Sequence, residues 1–231
     1  MMITLQARDG HAPEAYLARP SSSARGGIVV SQEMYGVNDY LRSVCDDYAA
    51  QGYVAIAPAL YDRQQRGLIF TYSKEDHDRA QKTYTAWDFD AALHDLDAAR
   101  DAIKDMCRAD LGRADLSKIG IVGFCWGGTM AWLAACRSEF ACAVAYYGSF
   151  MPDYAGEQAR CPVLSHVGDR DTSFPLPRIA QFRAAQPAVP FHIYEGAPHG
   201  FDNPKRTERY HPAAHRLARE RTLEFLATHI G

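Results

Sequence analysis

Short apolar runs alternate with amphipathic stretches along almost the whole chain. A short apolar run bounded by glycine, proline or polar residues is typical of a strand that is buried on both faces of a sheet. On this pattern we predict an antiparallel edge strand at Glu14–Ala18 and buried strands at Gly27–Ser31, Tyr53–Ala57, Lys118–Val122, Cys142–Tyr147, Val163–Val167 and Phe191–Tyr194.

The amphipathic stretches between these runs predict helices. Asn38 is suited to capping the start of a helix, and Gly52 is suited to ending it. Further helices are predicted from Ser73 onward, along the pattern of Ala91, Leu93, Leu96 and Ile103, and at Thr129–Cys136, Leu176–Ala185 and His211–Ile230.

This alternation predicts an α/β fold with a mostly parallel central sheet and helices on both faces. No linker, repeat or break in composition divides the chain, so a single domain over residues 1–231 is predicted. In such sheets, ligands bind beyond the carboxyl ends of the strands. Reactive residues that directly follow a strand are therefore the candidates for a functional site.

Composition and charge narrow the class of protein. A formal net charge of −3 gives no argument for nucleic acid or an anionic membrane as a partner. No apolar run is long enough to span a bilayer, and Met1–Gly10 lacks the apolar stretch of a signal sequence. The six cysteines show neither a C-x-x-C pair nor the spacing of a disulfide framework. We therefore predict a cytoplasmic location.

The segment Gly123–Gly128 places a cysteine where a serine would complete the motif G-x-S-x-G. It lies between a predicted strand and a predicted helix, the context in which this motif forms a nucleophile elbow. A thiol at the start of that helix lies at the positive end of the helix dipole, which favours the thiolate. Cys125 is therefore the predicted nucleophile for attack on an acyl carbon.

Asp171 and His199 each follow a further predicted strand. The order Cys125, Asp171, His199 is the nucleophile–acid–histidine order of the α/β-hydrolases, and we predict that fold. The histidine would accept the thiol proton, while the carboxylate orients the imidazole. Asp169 lies in the same turn as Asp171 and is the alternative acid.

The first buried strand ends close to Glu33 and Met34. An α/β-hydrolase supplies its second oxyanion donor at this place, so we assign the oxyanion hole to the backbone N–H groups of Met34 and Trp126. A carboxylate at a strand end that opens into a cleft is unusual, which makes Glu33 a candidate as well.

A resemblance to the dienelactone hydrolase (carboxymethylenebutenolidase) family is carried by four segments: Gln32–Asn38, Gly123–Gly128, Gly168–Asp171 and Pro198–Phe201. It implies a cysteine-dependent hydrolase that opens an enol-lactone such as dienelactone to maleylacetate, or cleaves a related activated small ester. It implies no cofactor and no metal. It also implies that Glu33 contacts the resting thiol and takes its proton when substrate binds.

The chain departs from the family pattern at the positions that hold the substrate carboxylate. Enzymes specialised for dienelactone use two arginines there, and this chain has Ala80 and Asn203 in the matching positions. Arg79 and Arg206 stand nearby. The resulting candidates for substrate binding are Tyr35, Arg79, Tyr84, Trp87 and Arg206.

Several plainer interpretations stand beside these. Cys125 could be a buried structural cysteine, and Glu33 could be a salt-bridge partner. Tyr35 and Trp87 could be packing aromatics. His211 and His215 have the i, i+4 spacing of metal ligands, but no third ligand is evident. The alternative function is a non-catalytic or redox-sensing member of the same fold that binds a small molecule.

Overall fold

Eight strands in the described part of the chain form one sheet. The computed structural model describes residues 1–84, 87–111 and 118–231, with the backbone alone described at 107–111. The strands are β1 (Met2–Thr4), β2 (Glu14–Ala18), β3 (Gly26–Ser31), β4 (Tyr53–Pro58), β5 (Ile119–Phe124), β6 (Cys142–Tyr146), β7 (Val163–Gly168) and β8 (Phe191–Tyr194).

The strand order across the sheet is β1-β2-β4-β3-β5-β6-β7-β8, and every neighbouring pair from β4 to β8 is parallel. The predicted mostly parallel sheet is thus confirmed. Glu14–Ala18 forms an antiparallel strand, as predicted, but it is not the edge strand of the sheet. The edge strand is β1, which pairs with the outer side of β2 and places Met2 opposite Tyr16. A strand as short as β1 carries no apolar run that a pattern could reveal.

The helices are α1 (Asp39–Ala50), α2 (Lys74–Tyr84), α3 (Phe89–Leu111), α4 (Trp126–Arg137), α5 (Leu176–Ala185) and α6 (Pro212–Ile230), with 3₁₀ turns at Leu60–Arg63 and Met151–Tyr154. Asn38 caps α1 as predicted, because its side-chain oxygen accepts a hydrogen bond from the Leu41 N–H group. His211 caps α6 in the same way by accepting from the Ala214 N–H group.

Helices cover both faces of the sheet. Side chains alternate between the faces of a strand, so Val29 of β3 packs in a cluster with α3 and α4, while Ile28 and Val30 pack with α1 and α6. Burial on both sides explains why the central strands are continuous apolar runs. Among the described helices, none has the length and apolar character needed to cross a membrane.

Candidate active site

Cys125 lies at the sharp turn between β5 and α4. Its backbone angles are φ 56° and ψ −119°, a region that residues other than glycine rarely adopt. The neighbouring glycines permit this turn. A Cβ atom on Gly123 would collide with the backbone of Gly127, and one on Gly127 would collide with the carbonyl group of Ser31. The strained turn holds the thiol at the edge of the sheet.

The structure brings Cys125, His199 and Asp171 into contact. Nε2 of His199 lies 3.1 Å from the Cys125 sulfur, and Nδ1 lies 2.8 Å from Oδ2 of Asp171. Both His199 and Asp171 are buried. Since Nδ1 donates to the carboxylate, Nε2 faces the sulfur, which is the arrangement that lets the imidazole exchange a proton with the thiol.

The two candidate carboxylates have different contacts. Oδ1 of Asp171 accepts from the backbone N–H groups of Ser173 and Phe174, each at 2.8 Å, which leaves its other oxygen for the histidine. Oδ1 of Asp169 instead accepts from the backbone N–H group of Gly196 at 2.7 Å. Asp169 therefore connects two loops, whereas Asp171 is the carboxylate that contacts the imidazole.

The electrostatics of His199 favour a protonated ring. Burial lowers the pKa of His199, but the charge on Cys125 and the hydrogen bonds to Asp171 and Cys125 outweigh it and raise the pKa to about 10. The largest influence that raises the pKa of His199 is thus a negative charge on the neighbouring sulfur atom.

The remaining described thiols are in different surroundings. Cys45, Cys136, Cys142 and Cys161 are free, and the side chain of Cys107 lies outside the described residues. Burial raises the pKa of Cys136 and Cys142 to about 12 and that of Cys161 to about 11. These thiols are held protonated at neutral pH, so they are poor nucleophiles.

A cavity of about 330 Å³ opens beside Cys125 and His199. It lies beyond the carboxyl ends of the strands, as expected for a sheet of this kind. The predicted residues that line it are Glu33, Met34, Tyr35, Tyr84, Cys125, Trp126, His199 and Arg206.

The two predicted oxyanion donors meet at this cavity. Trp126 is the first residue of α4, where backbone N–H groups have no partner within the helix. Met34 lines the same cavity, and its carbonyl oxygen, in the peptide that follows its N–H group, accepts from the Tyr61 hydroxyl group at 2.7 Å. Met34 and Trp126 thus line the same cavity as Cys125.

Glu33 is buried at the cavity wall, but its contacts differ from those implied by the resemblance. Its Oε1 atom accepts from the Tyr72 hydroxyl group at 2.9 Å and from Nδ2 of Asn203 at 3.3 Å. Within the described residues its carboxylate makes no hydrogen bond to the Cys125 thiol, which is paired with His199. The expected contact between Glu33 and the resting thiol is therefore corrected.

Two of the predicted substrate-binding residues lie elsewhere. Arg79 is exposed, pairs with Asp76 at 2.9 Å and packs over the ring of Phe70. It sits on the outer side of α2, so its assignment to the cavity is corrected. Trp87 packs against the rings of Tyr61 and Trp126, in agreement with its interpretation as a packing aromatic.

Arg206, in contrast, is buried at the cavity wall. Its guanidinium group lies 5.4 Å from the ring centroid of Tyr35 and 5.6 Å from that of Tyr72, and it pairs with Glu208. The hydroxyl group of Tyr35 lies 2.7 Å from Nδ1 of His77. Arg206 thus occupies the cavity although it does not stand at the position that the family pattern assigns to an arginine.

Three further cationic or titratable residues that were not predicted also line the cavity: His77, Arg178 and Arg209. His77, Gln81 and Tyr84 stand at i, i+4 and i+7 of α2, and all three line the cavity. Once Tyr84 is assigned to the site, this helical spacing predicts that His77 and Gln81 face the cavity as well. Arg178 and Arg209 carry no comparable signal.

The chain is similar to known proteins over nearly its whole length. The model of the dienelactone hydrolase family matches residues 14–230. The carboxymethylenebutenolidases of Pseudomonas putida and Pseudomonas knackmussii are each 33% identical to it over 231 residues, which covers 97% of this chain and 95% of theirs.

Solved structures show the same similarity. A candidate dienelactone hydrolase of Klebsiella pneumoniae superposes with a TM-score of 0.82 at 27% identity, covering 98% of this chain and 99% of that one. A dienelactone hydrolase-like promiscuous phosphotriesterase from metagenomic libraries has a TM-score of 0.76 at 20% identity, covering 100% and 99%, and shows the fold alone.

Proposed function

The chain belongs to the dienelactone hydrolase family, and from this premise we propose that it is a cysteine-dependent hydrolase. Its reaction is the opening of an enol-lactone such as dienelactone, or the cleavage of a related activated small ester, through a thioester intermediate. The observation that carries the proposal is the 3.1 Å contact between the Cys125 sulfur and Nε2 of His199 at a strained elbow.

In the first half of the reaction, the Cys125 thiolate attacks the carbonyl carbon of the lactone. The carbonyl oxygen becomes an oxyanion, which accepts hydrogen bonds from the N–H groups of Trp126 and Met34. The bond between the acyl carbon and the ring oxygen then breaks. The enolate leaves, takes a proton from the His199 imidazolium and converts to the ketone, while the acyl group remains on sulfur.

In the second half, water hydrolyses the thioester. Once the sulfur is acylated it carries no charge, so the main influence that raises the pKa of His199 is gone. The neutral imidazole, oriented by Asp171, then accepts a proton from the water that attacks the acyl carbon. The thiolate is the leaving group, and it recovers its partner when His199 is protonated.

The nucleophile favours substrates with a good leaving group. In the tetrahedral intermediate, the bond that breaks is the one to the better leaving group, and a thiolate leaves more readily than an alkoxide. An enolate competes with the thiolate, whereas a simple alkoxide does not. Enol-lactones and nitrophenyl esters are therefore the expected substrates, and unactivated ethyl esters are expected to turn over slowly.

The cations at the cavity support a substrate that carries a carboxylate. Arg206 and Arg209 both line the cavity. Burial lowers the pKa of His77, and the charges of the two arginines lower it further, so both charges act at the same part of the cavity. Arg206 pairs with Glu208, whose side chain is mostly exposed, and its charge also acts on the buried carboxyl group of Glu33. A guanidinium group suits a carboxylate because it offers two parallel donors. We assign substrate anchoring to Arg206 and Arg209 in place of Arg79.

The test is the ultraviolet decay of dienelactone with the unaltered protein and with Cys125→Ser. Decay with the unaltered protein alone is the expected result. If the folded protein leaves dienelactone untouched but hydrolyses a nitrophenyl ester through Cys125, the mechanism stands and the substrate is wrong. If Cys125→Ser keeps full turnover of both compounds, the cysteine mechanism is wrong.

A further inference from the structure

The hydroxyl group of Tyr72 lies at the centre of a hydrogen-bond network next to the candidate site. Its oxygen lies 2.9 Å from Oε1 of Glu33, 2.7 Å from Nδ2 of Asn203 and 3.0 Å from Nδ2 of Asn38. The network joins four segments: the end of β3, the cap of α1, the loop before α2 and the loop that carries His199.

The direction of each hydrogen bond in this network is determined by backbone groups. Oδ1 of Asn38 accepts from the Leu41 N–H group, and Oδ1 of Asn203 accepts from the Lys205 N–H group. The NH₂ group of each amide therefore faces Tyr72 and donates to its oxygen. The single proton of the Tyr72 hydroxyl group is left for Glu33, so the carboxylate is the acceptor.

The hydrogen bond from Tyr72 is the largest of the influences that oppose the effect of burial on the pKa of Glu33. Burial raises the pKa of Glu33, and the hydrogen bond from Tyr72 opposes this more than the charge of Arg206 or His199 does. The other ionisable groups that feel the Glu33 charge are tyrosines on separate segments: Tyr35, Tyr40, Tyr61 and Tyr147. Their pKa values are raised, so they are neutral near pH 7.

We propose that Tyr72 is a positioning residue, which holds the Glu33 carboxylate against Asn203 and so leaves the Cys125 sulfur to pair with His199 before substrate binds. The inference rests on the proposed function, since the thiol state matters only if Cys125 is the nucleophile. Glu33 and Cys125 line the same cavity, and a carboxylate released from Tyr72 can turn to the sulfur, where it accepts a hydrogen bond from the S–H group and its negative charge disfavours the thiolate. Asn203 is a neutral amide, so the charge of a bound anion does not attract it away from its hydrogen bond to Glu33.

The test measures how fast iodoacetamide alkylates Cys125 without substrate between pH 5 and 9, with mass spectrometry to locate the label. Iodoacetamide is uncharged, so the arginines of the cavity do not bias it. We expect rapid labelling of the unaltered protein. Tyr72→Phe should slow labelling near pH 7 by roughly 10-fold or more, the equivalent of one hydrogen bond to a charged group, and should move the acid limb to higher pH.

Combining Tyr72→Phe with Glu33→Gln shows whether Tyr72 acts by positioning Glu33 or only by packing in the loop. Glutamine carries no negative charge to disfavour the thiolate, so Tyr72→Phe should slow labelling only when Glu33 is present. Equal slowing in both backgrounds, or none in either, overturns the proposal. If Tyr72→Phe does not fold, Asn203→Ala takes its place and should act in the same direction.

Tyr40→Phe is the matched control, because it removes a buried tyrosine–carboxylate hydrogen bond of 2.8 Å that goes to Asp202 and leaves the hydrogen bonds of Glu33 in place. It should label at the rate of the unaltered protein, and slowing equal to that of Tyr72→Phe would attribute the effect to general loosening and overturn the proposal. Failure of the proposed function has a different signature. In that case Cys125 is not labelled at any pH, or Cys125→Ala keeps turnover.

Discussion

Nε2 of His199 lies 3.1 Å from the sulfur of Cys125, although 74 positions separate the two residues in the sequence. Cys125 follows β5, and His199 follows β8, at the far end of the same parallel run of strands. Parallel strands end on one edge of the sheet, which is why residues so distant in sequence meet there. The first property to measure is whether the proton between these two atoms resides on the His199 nitrogen or on the Cys125 sulfur.

NMR titration of the His199 ring tests that state. The ring should remain protonated until a pKa of about 10, because the charge on Cys125 and the hydrogen bonds outweigh burial. In Cys125→Ala the charge and one hydrogen bond are lost, so the pKa of His199 should fall, since burial favours the neutral ring. His166 serves as an internal reference, because burial lowers its pKa and both its ring nitrogens contact hydroxyl groups. An unchanged His199 pKa in Cys125→Ala would contradict the thiolate–imidazolium pair.

Exchanging each carboxylate of the Gly168–Asp171 turn for its amide tests the third member of the site. Asp171→Asn should lower kcat by roughly 10³–10⁴, because an amide cannot hold the imidazole in the required tautomer. Asp169→Asn is the matched control, since it loses only a contact with the Gly196 backbone and should keep most of the activity. Steady-state kinetics with a nitrophenyl ester measures both. Equal losses in the two variants would show that the turn, rather than Asp171, is what matters.

Much of the sheet could be predicted because its central strands are buried on both faces. Burial requires continuous apolar runs, and β8 and α5 have the bounds that their patterns predict. The strand β1 was missed, since a three-residue strand at the edge of the sheet is held by backbone pairing and needs no apolar run. Whether β2 is the edge strand depends on whether another strand pairs with it, and no pattern in the sequence shows that β1 does so.

In the candidate site, too, some residues could be predicted from local patterns and others could not. Cys125, Asp171 and His199 could be placed near one another because each comes shortly after a strand that has an apolar run, in the order typical of an α/β-hydrolase. The position of Arg206 depends on the path of a loop, and no local pattern predicts that path. Arg79 was wrongly assigned to the cavity, although helical periodicity places it on nearly the opposite side of the helix from Tyr84. Tyr72 was missed because its contact with Glu33 is made by a loop.

Removal of the cavity arginines tests the proposed substrate anchor. Arg206→Ala and Arg209→Ala should each raise KM for dienelactone by roughly 10-fold or more, the usual effect of losing a charge-assisted hydrogen bond, and should leave neutral nitrophenyl acetate almost unaffected. Arg79→Ala is the control, because its side chain is exposed and pairs with Asp76. An equal loss with the charged and the neutral substrate would show that these arginines support the fold rather than bind a carboxylate.

Addition of a methyl group at Gly127 tests whether the elbow depends on close backbone approach. A Cβ atom there would collide with the carbonyl group of Ser31 in β3, so Gly127→Ala should push α4 away from the sheet. We expect a loss in the free energy of unfolding of about 1–3 kcal/mol, as for other overpacked sites, and a loss of activity from the shifted thiol. Gly156→Ala is the control, because no atom lies within 4 Å of the added carbon. Chemical denaturation measures both variants, and a Gly127→Ala protein as stable and as active as the Gly156→Ala protein would contradict the close approach.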